Sequence, residues 1–170
     1  MAIETYFLDL IEANQGSAVL LIPILAFAEA CFGIGLFVSG AFLVIVSSIL
    51  YFTEVSSLPL ICGLAMLGAT AGDHVGFYVG YFLGPRLAQT RFAERHHAAI
   101  VRANAMIARY GAFTIFIGRF VPAIRSLLPA MIGITGFSRR VYSLLDALAC
   151  CLWATALGAI VYFIGGSFQV

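Results

Sequence analysis

The sequence predicts an all-α integral membrane protein: two facing re-entrant hairpins packed with transmembrane helices in an inverted-repeat arrangement, plus an amphipathic helix on the membrane surface. Three observations lead there. First, of 170 residues 62% are hydrophobic and only 10% charged, with a mean hydropathy of +1.05, whereas a soluble domain carries about 25% charged residues. Too little polar surface remains to cover a water-soluble globule. Second, some long apolar stretches run unbroken while others are interrupted by glycine or proline. Third, all nine basic residues are arginine and none precedes Arg86, so charge marks particular edges of the apolar segments. The chain reads as one membrane domain over residues 1–170.

Residues 17–53 are apolar apart from Glu29. Their 37 residues exceed the about 20 needed for one span and fall short of two spans with a turn. Gly33, Gly35 and Gly40 break the middle of this stretch. A re-entrant hairpin fits that length best; two short, tilted spans are the alternative. Residues 59–84 follow as a transmembrane helix. Gly68, Gly72, Gly76, Gly80 and Gly84 recur at every fourth position, which lines them up on one side where another helix can approach closely. Helix packing accounts for Gly72, Gly76 and Gly80, but not for Asp73 and His74 beside them.

Residues 86–110 carry Arg91, Arg95, Arg102 and Arg109 on one helical face, with Phe92, Ile100, Ala103 and Ile107 on another. This pattern predicts a surface helix, cytoplasmic by the positive-inside rule. Residues 111–138 are again apolar and again broken, here by Pro122 and Pro129. Arg139 and Arg140 mark the next cytoplasmic edge, so the segment between Arg109 and Arg139 returns to its own side as a second hairpin. Residues 141–168 form the last span, with Asp146 about six residues inside it and read as facing the interface or capping the hairpin packing. Broken helices in two halves of opposite orientation are a plan of transporters, with the substrate near the midplane.

The chemistry concentrates in "GRFVPAIRSLLP", residues 118–129. A continuous helix would point Arg119 and Arg125 about 240° apart; Pro122 removes a helical hydrogen bond, and unwinding there would bring both guanidiniums to one pocket. Their planar forks match phosphate oxygens and stay charged at any relevant pH. The alternatives are ion pairing with Glu29, Asp73 or Asp146, or snorkelling to the headgroups. Glu29 and Asp73 are intramembrane carboxylates, functional candidates by default, as proton carriers or as static counter-ions. A single histidine such as His74 reads as packed and neutral, although it could relay protons.

Other classes find less support. No basic run suits nucleic acid, and no G-x-S-x-G, H-E-x-x-H or phosphatase-like histidine cluster suggests an enzyme. Cys31, Cys62, Cys150 and Cys151 sit in apolar surroundings without C-x-x-C and read as inert thiols. His96 and His97 lie among arginines that would repel a metal ion. No cofactor is implied. The acidic N-terminal residues Glu4, Asp9 and Glu12 do not resemble a cleaved signal.

Two motifs together resemble the DedA family of small membrane proteins, whose shared region is called the VTT or SNARE-associated domain. An R-F-x-P-x-x-R pattern stands at Arg119, Phe120, Pro122 and Arg125, with Gly133, Phe137 and Trp153 after it; a G-D-x-x-G-[YF]-x-x-G pattern stands at Gly72, Asp73, Gly76, Phe77 and Gly80. The similarity runs from about Glu29 to Gly166. Ser39 and Ala41 flank Gly40 where the family carries proline and an acid, leaving Glu29 and Asp73 as the candidate protonatable pair. The resemblance implies two facing re-entrant hairpins in a multi-pass protein of the bacterial inner membrane. It further implies a flippase or scramblase for a phosphate-headgroup lipid such as undecaprenyl phosphate or a phospholipid. A non-transporting membrane scaffold and a small-ion or solute antiporter are the other readings, and the glycine stripe permits a homodimer.

Overall fold

A computed structural model describes residues 15–36, 40–87, 97–121 and 124–168 of the chain. Among these residues every regular element is helical: α1 (Gln15–Val19), α2 (Leu21–Ala30), α3 (Gly40–Phe52), α4 (Leu58–Leu87), α5 (His97–Tyr110), α6 (Thr114–Arg119), α7 (Leu128–Ile134) and α8 (Arg139–Phe168). Pro122, with Arg91, Arg95, His96 and the N-terminal acids Glu4, Asp9 and Glu12, lies outside the described residues.

Two helices, α4 and α8, are long and apolar enough to cross a membrane, over Leu58–Leu83 and Arg139–Ile164. At 1.5 Å per residue each 26-residue stretch measures about 39 Å. Both present large apolar side chains outward, among them Leu67, Phe82, Leu144 and Phe163, the pattern expected when the surrounding solvent is lipid.

The remaining apolar helices are short because their sequences break them. Pro23 sits in the first turn of α2, where its missing N–H costs no helical hydrogen bond. That helix ends at Ala30, and the chain turns through Gly33 at a φ of +81°, a left-handed conformation that favours glycine. A 3₁₀ turn (Ile34–Leu36) follows before α3. In the second broken pair α6 stops at Arg119, residues 124–127 form turns, and α7 restarts at Leu128 with Pro129 in its first turn. Pro129 therefore begins a helix rather than breaking one.

The long helices tie the two broken pairs together by exchange. α2 packs on α4 while its partner arm α3 packs on α8; α6 packs on α8 while its partner arm α7 packs on α4. The glycine stripe makes the α4 contacts possible. Side chains at Gly68 and Gly72 would run into Pro23, Phe27 and Ala30 of the first pair, and those at Gly76 and Gly80 into Pro129 and Ala130 of the second. Gly80 is the tightest position, since a Cβ there would overlap the Ala130 carbonyl oxygen. Gly68, Gly72, Gly76 and Gly80 are thus covered by this chain's own helices.

Two apolar clusters result. One gathers Ile22, Leu43, Leu50, Ile61 and Val161. The other gathers Phe77, Ile115, Leu128, Ile132 and Tyr142, with the Phe77 and Tyr142 rings stacked at 4.0 Å. Asp73 lies on α4 between Ala69 of the first cluster and Phe77 of the second. At the surface α5 exposes Arg102 and Arg109 and half-buries Met106 and Ile107. The Thr114 hydroxyl donates to the Met106 carbonyl at 2.8 Å, joining α5 to α6.

Candidate functional site

Each charged group in the interior is delivered by a helix end, by a turn or by the buried face of a long helix. Arg119 is the last residue of α6. Arg125 lies in the turn that replaces further helix, so the six-residue spacing no longer dictates opposite directions. Both guanidiniums lie against one side chain, the indole of Trp153 on α8, at 5.3 and 5.1 Å from a ring centroid. This geometry is within cation–π reach. It lets the indole hold two like charges side by side without neutralising either.

Carboxylates take up one edge of each guanidinium. Arg125 Nη1 donates to Glu29 Oε1, joining the two broken pairs at their tips. The same tips meet where a side chain on Gly35 would press on the Ser126 Cβ at 2.9 Å. Glu29 also lies over the first residue of α3: a Cβ on Gly40 would stand 2.5 Å from Glu29 Oε1. A carboxylate at that helix N-terminus meets the positive end of the helix dipole. Arg119 Nη1 donates to Asp73 Oδ2 on α4 and lies 3.7 Å from Asp146 Oδ1 on α8.

Asp146 corrects a reading of the sequence. It faces neither the interface nor a cap; it is 2% exposed and belongs to the arginine cluster. The missed signal was its place on the buried stripe of α8. Tyr142, Asp146, Ala149, Cys150 and Trp153 follow steps of three and four, and a charge on such a stripe has to meet a partner. His74 is likewise more than a packed ring. Its Nδ1 lies 2.8 Å from the Thr70 carbonyl oxygen and 3.4 Å from Asp146 Oδ2, and its Nε2 lies 2.8 Å from Ser143 Oγ. Of the cysteines, Cys31 and Cys150 are buried while Cys151 faces outward. Asp73, Asp146 and Cys150 hold ligand atoms within 4.8 Å of one another, but the Arg119 guanidinium bonded to Asp73 puts a fixed positive charge where a cation would sit.

The guanidiniums are not saturated. Arg119 Nε and Nη2 and Arg125 Nη2 are buried without a hydrogen-bond partner among the described residues, as is Glu29 Oε2. Arg119 and Arg125 line a small cleft with Asp73, Asp146, Tyr142, Leu128 and Pro129. Its volume is about 20 Å³, room for one water and not for a phosphate group. The arrangement is a closed, ion-paired one, with donors in reserve that only an entering acceptor or water can satisfy.

The VTT domain family matches residues 23–163, a stretch holding all the groups described above. A membrane protein of Buchnera aphidicola subsp. Baizongia pistaciae is 24% identical over 165 residues, covering 97% of this chain and 62% of its own. The inner membrane protein YghB of Salmonella typhimurium is 33% identical over 98 residues, covering 55% of this chain and 45% of its own. A membrane protein of Mycobacterium tuberculosis, Rv0364, is 28% identical over 102 residues, covering 58% and 44%. The chain thus spans less than two thirds of the length of these relatives. No solved structure matches it.

Proposed function

This chain belongs to the VTT-domain (DedA) family of membrane proteins, sits in the inner membrane, and we propose that it moves phosphate-headgroup lipids across that membrane as a flippase or scramblase. One observation carries this reading. Two buried guanidiniums, stacked on one indole, keep N–H groups that have no acceptor among the described residues. A phosphate supplies several oxygens in the geometry those planar forks accept, and an undecaprenyl phosphate or a phospholipid would bring it.

In this reading the two broken helix pairs enter the bilayer from opposite faces and meet near its midplane, so that non-helical backbone lies against protein rather than lipid. The carboxylates act as stand-ins for the headgroup. Glu29, Asp73 and Asp146 face Arg119 and Arg125, three acids against two bases when all are ionised. An incoming phosphate adds further negative charge to a region of low dielectric, where unbalanced charge is costly. Protons on the carboxylates restore the balance and free the arginines, so the lipid would move with proton uptake. Separation of Glu29 from Arg125 would open the tips and enlarge the cleft.

The test is lipid translocation in proteoliposomes, using labelled polyprenyl phosphate and a labelled phospholipid with and without a pH gradient. The wild-type chain is expected to accelerate at least one lipid, and Arg125→Ala to abolish the effect while eluting as folded, helical protein. No acceleration of either lipid by well-folded wild type would reject lipid transport for these substrates.

A further inference from the structure

We infer that His74 is a proton-binding site beside the cleft, taking up a proton at Nε2 through Ser143 and drawing Asp146 away from Arg119. This inference rests on the phosphate-site reading and adds to it a proton-binding group that acts on the ion pairs.

The hydrogen-bond partners of the ring fix its chemistry. A backbone carbonyl can only accept, so the Nδ1 lying 2.8 Å from the Thr70 oxygen carries the hydrogen. The neutral ring then presents an unprotonated Nε2 to the Ser143 hydroxyl at 2.8 Å. A hydroxyl donates to that nitrogen when the ring is neutral and accepts from it when the ring is charged, by rotating its own hydrogen. Protonation therefore needs no movement of heavy atoms. Ser143 gives its hydroxyl hydrogen to Nε2 as its O–H bond re-forms with a proton from hydronium, which leaves as water; release runs the same relay backwards.

Position makes this ring an entry point. The His74 side chain is 24% exposed, against 3% for Asp146. Ser143 lies one turn into α8 from Arg139 and Arg140, the basic edge of that helix. The proton thus arrives from the membrane face that those arginines mark.

Its effect falls on Asp146, which is shared. From α4 the His74 Nδ1 lies 3.4 Å from Asp146 Oδ2; from α6 Arg119 lies 3.7 Å from Asp146 Oδ1. Cys150, on the same helix as Asp146, lies 3.8 Å from both Asp146 and Asp73. Around the ring itself stand Tyr142 of α8 at 5.6 Å and Tyr78 of α4 at 6.3 Å, both centroid distances. Arg125 lines the same cleft from the turn before α7. A charged imidazolium competes with Arg119 for the one carboxylate between them, leaving more of the Arg119 fork open to phosphate.

Two measurements on the reconstituted full chain test this. In a His96→Asn/His97→Asn background, His74 is the one histidine left of three. Nitrogen-15 spectra are expected to show the Nδ1–H tautomer at pH 8 and conversion to the doubly protonated ring by about pH 5. Asp146→Asn is expected to displace the midpoint by about half a pH unit or more. An Nε2–H tautomer, or a midpoint indifferent to Asp146, would overturn the inference. In the second measurement, polyprenyl phosphate translocation by wild type is expected to vary about tenfold between pH 6 and 8, and by a clearly smaller factor in His74→Gln, where only the carboxylates are left to take up protons. A wild-type profile retained in His74→Gln also overturns it. If wild type moves no lipid at any pH, the transport reading falls, and the spectra still decide whether His74 binds the proton.

Discussion

The two arginines of the cleft are held in different ways. Arg125 pairs with Glu29 across the tips of the two broken helix pairs, and those side chains keep 11% and 9% exposure. Arg119 pairs with Asp73 on a long helix, backed by Asp146, and its group is sealed to 5% or less. The first pair joins two short elements that have few other reasons to stay together; the second joins a short element to the frame. The comparison separates a latch from an anchor. Both are buried, and buried ion pairs add little net stability although losing one partner costs about 3–5 kcal/mol. In the proposed transport, protonation of Glu29 would open the latch, whereas the anchor has a second carboxylate to fall back on.

Substitutions distinguish the latch from the anchor. The largest effect is expected at the latch: Arg125→Ala should cut lipid translocation by about a hundredfold or more with little change in helix content, measured in proteoliposomes and by circular dichroism. If the protein instead fails to accumulate, the latch is a strut. Next comes the frame that carries the anchor. Gly80→Val would drive side-chain atoms into the Ala130 backbone and should lower stability by about 3 kcal/mol or more, read from denaturation in detergent. Gly63→Ala, where a Cβ meets nothing within 4 Å, should be neutral or slightly stabilising. Should both variants behave alike, the stripe does not pack as described.

Much of this was legible in the sequence, for a physical reason. Charges and prolines are so costly in hydrocarbon that Glu29, Asp73, Arg119 and Arg125 stand out by type alone, and glycine at every fourth position announces close helix contact. What covers a small-residue stripe is not encoded in the stripe; in the fold Gly68 meets Pro23 and Gly80 meets Ala130. Asp146 was misplaced because its depth was counted along its own helix, whereas α6 brings Arg119 to that depth. Trp153 was visible only as part of a motif; its place against both guanidiniums depends on the fold bringing Arg119 and Arg125 to α8.

Smaller effects sharpen the distinction. Asp73→Asn leaves Arg119 with Asp146 alone, so a stability loss of about 1–3 kcal/mol is expected, and Asp73→Asn/Asp146→Asn should cost more than the sum of the single changes. Trp153→Leu removes both ring contacts, each worth about 0.5–2 kcal/mol, while Trp153→Phe should recover part of the loss. Equal losses for Leu and Phe would mean that the indole fills space rather than holding charge.

The central claim is that the carboxylates occupy the phosphate's place. It is tested most directly by equilibrium binding of labelled polyprenyl phosphate to the purified chain, comparing wild type, Arg125→Ala and Glu29→Gln. Arg125→Ala should weaken binding by about a hundredfold; Glu29→Gln, which frees the same arginine, should tighten it or leave it unchanged. Opposite signs are what a competitor requires. If the two substitutions weaken binding equally, Glu29 and Arg125 form a structural strut and the phosphate site lies elsewhere.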